Sequence, residues 1–152
     1  MNLLLSLVCD DATEDPHGYL DAEGVRHDLY APGFPAMQER LVVVMVVEWD
    51  RTDFGRYSFR VEMRGPGGEL VGPAGRPTPW VEGHTEVHRP PDGRPPSRTR
   101  LVLPLERVVF PEPGRYRFRL TAKGRELEGP VVYLTRIEPP IEPADTGGGP
   151  PG

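Results

Sequence analysis

Tyr57-Ser58-Phe59-Arg60-Val61-Glu62-Met63-Arg64 alternates apolar and polar side chains without a break. A period of two puts Tyr57, Phe59, Val61 and Met63 on one face of an extended chain and Ser58, Arg60, Glu62 and Arg64 on the other. One face is core and one is wet, so the stretch reads as a strand on the surface of a sheet. Gly114-Arg115-Tyr116-Arg117-Phe118-Arg119-Leu120 repeats the pattern, with Tyr116, Phe118 and Leu120 inward and three arginines outward. Leu41 to Val47 has no polar face at all, as expected of a strand central in a sheet or covered on both sides. Polarity returns at Glu48-Trp49.

Working outward, Leu3 to Val8, Glu82 to His88, Leu101 to Val109 (with Pro104 interrupting) and Val131 to Thr135 are further strand candidates. Turn signals separate them at Asp53-Phe54-Gly55, Gly65-Pro66-Gly67-Gly68, Pro111-Glu112-Pro113-Gly114 and Lys123-Gly124. The 152 residues include 20 prolines and 18 glycines, which accumulate where chains turn. Seven or so short strands without a convincing amphipathic helix predict an all-β sandwich or barrel of about seven to eight strands. Residues 73–100 carry little pattern and read as a long crossover with at most one edge strand. Residues 1–137 are expected to form one domain. Residues 138–152, rich in proline and glycine with almost nothing apolar to bury, are expected to be disordered.

Compartment follows from what the chain lacks. The apolar N-terminal stretch has no preceding basic residue, is short for a signal peptide and offers Val8 as a poor cleavage site, so it reads as a strand. No apolar run approaches the ~18 residues that cross a bilayer. A single cysteine, Cys9, allows no internal disulfide and fits a reducing compartment, so a cytoplasmic protein is expected. All 18 basic residues except Lys123 are arginine, and Asn2 and Gln38 are the sole side-chain amides. A GC-rich genome and a thermophilic origin both produce that bias. The net charge is −5, with acid concentrated toward the two ends and a mildly basic body between them. That distribution points to an anionic partner.

Pro113-Gly114-Arg115-Tyr116-Arg117-Phe118 resembles the Gly-x-Tyr-x-Cys turn of immunoglobulin-like folds, in which the tyrosine hydroxyl ties a corner to nearby backbone. Phe118 stands where those domains place a cysteine, which removes the inter-sheet disulfide. A longer resemblance runs over residues 1–137. It comprises a first strand ending in Cys9-Asp10, then Gly18-Tyr19-Leu20, Phe34-Pro35-Ala36, the apolar run from Leu41, Gly55-x-Tyr57-x-Phe59 and Phe110-Pro111-x-Pro113-Gly114-x-Tyr116-x-Phe118. This order is similar to a bacterial family of uncharacterised β-sandwich domains known as a domain of unknown function. The resemblances together imply an immunoglobulin-like antiparallel β-sandwich, and bring no catalytic or binding residues. The Arg- and Pro-rich stretch from Pro73 to Arg100 departs from the family pattern.

Three constellations invite chemistry. Period two puts Glu82, His84, Glu86 and His88 on one strand face, and imidazole with carboxylate suits a divalent metal. At ~3.3 Å per residue, however, His84 and His88 lie roughly 13 Å apart on a straight strand, so they share an ion with Glu86 only if the strand bends. The second is the row Arg115, Arg117 and Arg119, which lies near Arg60 and Arg64 if their strands are neighbours. Such a patch binds phosphate or an acidic protein surface. Because Tyr116 and Phe118 face the other way, no stacking platform accompanies it, which argues against nucleic acid. The third is Asp10, Asp11, Glu14 and Asp15, which lacks calcium-loop spacing and reads as a solvated turn. Cys9 ends an apolar strand and reads as a buried thiol.

Ser6, Ser58 and Ser97 sit in no nucleophile elbow, and no phosphate loop, dinucleotide fingerprint or zinc-finger spacing occurs. The sequence therefore predicts a non-catalytic module that needs no cofactor and binds another protein or a ligand through its loops, chiefly Pro73 to Arg100, with a protein the expected partner. The alternative is a metal-dependent enzyme or metal-binding protein centred on His84, Glu86 and His88.

Overall fold

A computed structural model describes residues 1–138, and the expected disorder of the tail falls almost wholly outside them. The described chain is all-β, with eleven strands where seven or eight were expected. They are β1 (Asn2–Cys9), β2 (Asp11–Glu14), β3 (Leu20–Glu23), β4 (Asp28–Ala31), β5 (Ala36–Glu48), β6 (Gly55–Arg64), β7 (Leu70–Val71), β8 (Trp80–Val87), β9 (Arg98–Phe110), β10 (Gly114–Ala122) and β11 (Arg125–Arg136). The excess comes from short strands of two to four residues, too brief to show a periodicity. Among the described residues no helix is long and apolar enough to cross a membrane.

Two sheets face each other across one core. The first has the order β1-β5-β9, and the second the order β4-β11-β10-β6-β7 with β8 also on β6. Alternation decides which side chains meet between them. Leu41, Val43, Met45 and Val47 from β5 join Val61 and Met63 from β6, and Tyr116, Phe118 and Leu120 from β10, in a single buried cluster. Most pairing is antiparallel, but β4 runs parallel to β11, a departure from the expected all-antiparallel arrangement.

The two-sided burial of Leu41 to Val47 has a specific cause. Strand β5 is central in its sheet, and its outward side chains Val42 and Val44 form a second cluster with Cys9. Leu7, Ala12, Leu20, Ala22 and Val102 pack over that cluster. Ala12 and Ala22 belong to the β2–β3 hairpin, which lies outside the first sheet as a lid. Of the acidic stretch, Asp11 and Glu14 thus lie on a strand while Asp10 and Asp15 flank it, and three of the carboxylates are paired: Asp10 with Arg26, Asp11 with Arg40 and Glu14 with Arg100. Asp15 supports the hairpin turn by accepting the His17 and Tyr19 amides.

Residues 73–97 hold one strand, β8, on the edge of the second sheet, and residues 98–100, expected to belong to the crossover, already open β9. Strands β7 and β8 are two halves of one partner for β6, and residues 72–79 bulge out between them. Gly72 closes the neck of that bulge, where a Cβ would collide with the Pro79 carbonyl. The bulge reaches the other sheet: Ala74 N–H donates to the Arg107 carbonyl at 2.9 Å, and Pro73 bridges Val108. The following loop is also tied, with Arg51 donating to the carbonyls of Pro91 and Arg94 and Ser97 donating to that of His88.

Candidate functional site

Strands β6 and β10 are neighbours, so all five arginines singled out from the sequence share the outer face of the second sheet. Arg117 stands opposite Arg64, and Arg119 opposite Glu62. The face divides into two parts by charge. On one part, Glu62 is buried and binds both Arg60 and Arg64 at 3.1 Å. Arg119 lies 3.3 Å from Glu128 and 3.7 Å from Glu126. The Arg60 guanidinium also stacks on Trp80, 3.7 Å from the ring centroid. These arginines are neutralised, and the stack over Trp80 uses an aromatic face.

On the other part the arginines are left over. Among the described residues neither Arg115 nor Arg117 is ion-paired with a carboxylate. Arg115 stands directly opposite Tyr133 on β11, and Arg117 opposite Val131. Residues paired in this way project from the same face of a sheet. Tyr133 is 46% exposed, and Tyr30, one strand further out on β4 beside Thr135, is 62% exposed. Two aromatic rings therefore do accompany the charge. They come from β4 and β11 rather than from β10, whose own Tyr116 and Phe118 point into the core. Exposure of tyrosine on two adjoining strands is the signal that was missed, and no local pattern announces it, because it depends on which strands become neighbours.

The metal constellation is not gathered. Strand β8 pairs with β6 in unbroken register from Trp80 opposite Glu62 to Val87 opposite Gly55, so Glu82, His84 and Glu86 stay spaced along one extended strand. His84 meets Ser58 across the strands at 3.3 Å, while His88 lies beyond the strand end beside Phe54 and Arg89. Among the described residues no three His, Cys, Asp or Glu side chains converge as a metal centre requires. Cys9 is fully buried, its Sγ 3.6 Å from the Val42 carbonyl, and burial raises its pKa with the Asp10 and Asp11 charges adding to the effect.

At the corner before β10, Tyr116 is fully buried and packs edge-on against Phe110. Its hydroxyl donates to the Glu112 carbonyl and accepts from the Glu112 N–H. At the far end of the same sheet, Lys123 joins Asp53 at 2.8 Å and Asp50 at 3.1 Å.

These features define an all-β domain of two packed sheets, with one lidded face and one face that is part ion-paired and part open. The chain belongs to the family of unknown function DUF6941, whose model matches residues 4–132. That span takes in both sheets and the β2–β3 lid. No curated protein matches the chain.

Proposed function

We propose that this chain is a non-catalytic interaction module that docks an acidic protein surface on the outer face of the β4-β11-β10 sheet, around Tyr30, Tyr133, Arg115 and Arg117. The observation that carries the reading is an exposed Tyr133 directly opposite Arg115, with Arg117 two residues along and exposed Tyr30 one strand further out. Neither arginine is ion-paired with a described carboxylate, and Asp28 opposite Tyr133 is the acidic neighbour. Tyrosine and arginine are the residues most enriched among interface hot spots, since each combines a broad contact surface with directed hydrogen bonds. Rigid strands hold all four, so little ordering entropy opposes binding. The loops of residues 73–100 rank second, because none of the exposed large apolar side chains falls within them.

The scaffold is an immunoglobulin-like sandwich in this reading. Its support is the Tyr116 hydroxyl bound to Glu112 backbone ahead of β10, and the buried cluster shared by both sheets. A bacterial cytoplasm is the setting we infer, supported by the arginine bias and the lone, buried Cys9. The chain's net charge of −5 favours a protein partner over nucleic acid, which demands many uncompensated cations.

The reading is tested by a photo-crosslinking amino acid placed at Tyr133 in the living host, with the same label at Phe54 as control. The expected result is a discrete protein adduct from position 133 that disappears when Arg115 and Arg117 are both changed to Glu. Adducts of equal yield from both positions, or an adduct insensitive to the charge reversal, contradict it.

A further inference from the structure

Only two described residues other than glycine adopt a positive φ: Lys123 at 55° and Arg107 at 52°. Bulky L-residues are strained in that conformation and glycine is not, so each position asks what its side chain does in return. Lys123 has an answer in its two carboxylates, Asp50 and Asp53. Arg107 does not. It is exposed on β9 and, among the described residues, makes no side-chain hydrogen bond or ion pair. The one service the fold draws from position 107 is its carbonyl, which accepts from Ala74 N–H at 2.9 Å, and a glycine would supply that equally.

The Arg107 guanidinium is directed at the bulge of residues 72–79. Its Nη2 lies 3.0 Å from where a Cβ on Gly75 would stand, and Gly75 itself has φ +77°. A side chain at position 75 would therefore be both strained and crowded against that guanidinium. Arg76 follows at once. Arg76 and Arg107 line a mostly polar cleft of about 340 Å³ together with Pro73, Pro104 and Glu106. The cleft is held in shape by the backbone bond to Arg107 and by the two prolines, and its size suits a small molecule.

We propose that this cleft binds a small hydroxyl-bearing phosphate ester, with Arg76 and Arg107 holding the phosphate and Glu106 accepting a hydrogen bond from the hydroxyl. Two guanidinium forks match the several oxygens of a phosphate. Glu106 repels a ligand that offers negative charge alone, and complements one that offers a donor beside it. None of the residues lining the cleft belongs to the docking face, so this inference is tested independently of it.

Calorimetric titration of the full chain at low salt, with inorganic phosphate and with glycerol 3-phosphate, tests it. Glycerol 3-phosphate is expected to bind about tenfold more tightly than phosphate, and Glu106→Gln to narrow that gap. Arg76→Ala is expected to weaken both. The decisive variant is Arg107→Gly, which removes binding and raises the melting temperature, because it relieves the backbone while deleting the guanidinium. Absence of binding by the unaltered chain, undiminished binding by Arg107→Gly, or a lower melting temperature in that variant overturns the proposal.

Discussion

The hydroxyl of Tyr116 and the backbone of Glu112 exchange two hydrogen bonds, one in each direction, at the turn that delivers the chain into β10. The ring is fully buried, so the hydroxyl has no water to fall back on. Tyr116→Phe keeps the packing against Phe110 and deletes both bonds. It is expected to cost about 1–2 kcal/mol, the net worth of a buried hydrogen bond plus an unmet backbone group. Urea denaturation measures it, and an unchanged midpoint would show that the corner does not hold.

The β2–β3 lid predicts how Cys9 behaves. With the thiol buried beneath Ala12, Leu20 and Ala22, and its pKa raised by that burial, a thiol reagent is expected to react only as fast as the lid opens. Leu20→Asp places a charge in the apolar contact between lid and sheet, and should speed labelling by at least about tenfold while the second sheet stays folded. Equal rates in the two proteins would mean that something other than the hairpin protects Cys9.

Much of this architecture was legible in the sequence. The alternation of Tyr57 to Arg64 and of Gly114 to Leu120 reports burial directly, and both segments are strands with the expected faces inward. The unbroken apolar run from Leu41 announced two covered faces, but not what covers the second. Asp11-Ala12-Thr13-Glu14 and Leu20-Asp21-Ala22-Glu23 contribute mostly alanines to the lid, and four residues with so little apolar surface resemble a solvated acidic loop. The arginine row was legible as residues and not as charge. Glu62 was visible between Arg60 and Arg64, whereas the pairing of Arg119 with Glu126 and Glu128 depends on the register of β11. The same register sets Tyr133 beside Arg115. Side-chain neighbours across a sheet are fixed by strand order, which local periodicity does not encode.

Acid should weaken one tie at the end of β10. Asp50 is bound first by the N-terminal ammonium at 2.7 Å and then by Lys123, and its pKa is lowered from 3.8 to about 2. A carboxylate whose folded pKa lies below its unfolded value contributes stability above the unfolded value and loses it as pH falls through the folded one. The stability difference between the unaltered chain and Asp50→Asn is therefore expected to be constant from neutrality to about pH 4 and to close between about pH 4 and 2. Denaturant titrations across that range decide it, and a difference that persists at the acid end contradicts the assignment.

The docking face is tested most directly by the salt dependence of binding to the protein that crosslinks from Tyr133, once that protein is purified. Arg115 and Arg117 supply the charge and Tyr30 and Tyr133 the contact area, so the two kinds of substitution should differ in how they weaken the complex. Reversing both arginines to Glu is predicted to weaken binding by about a hundredfold or more and to flatten its dependence on salt, as expected when the attraction between charges is removed. Tyr133→Ala is predicted to cost about tenfold or more with the salt dependence kept. His84→Ala, on the same sheet but far from the open part of its face, should bind as the unaltered chain does. An affinity that follows His84 and ignores Arg115, Arg117 and Tyr133 would contradict the account.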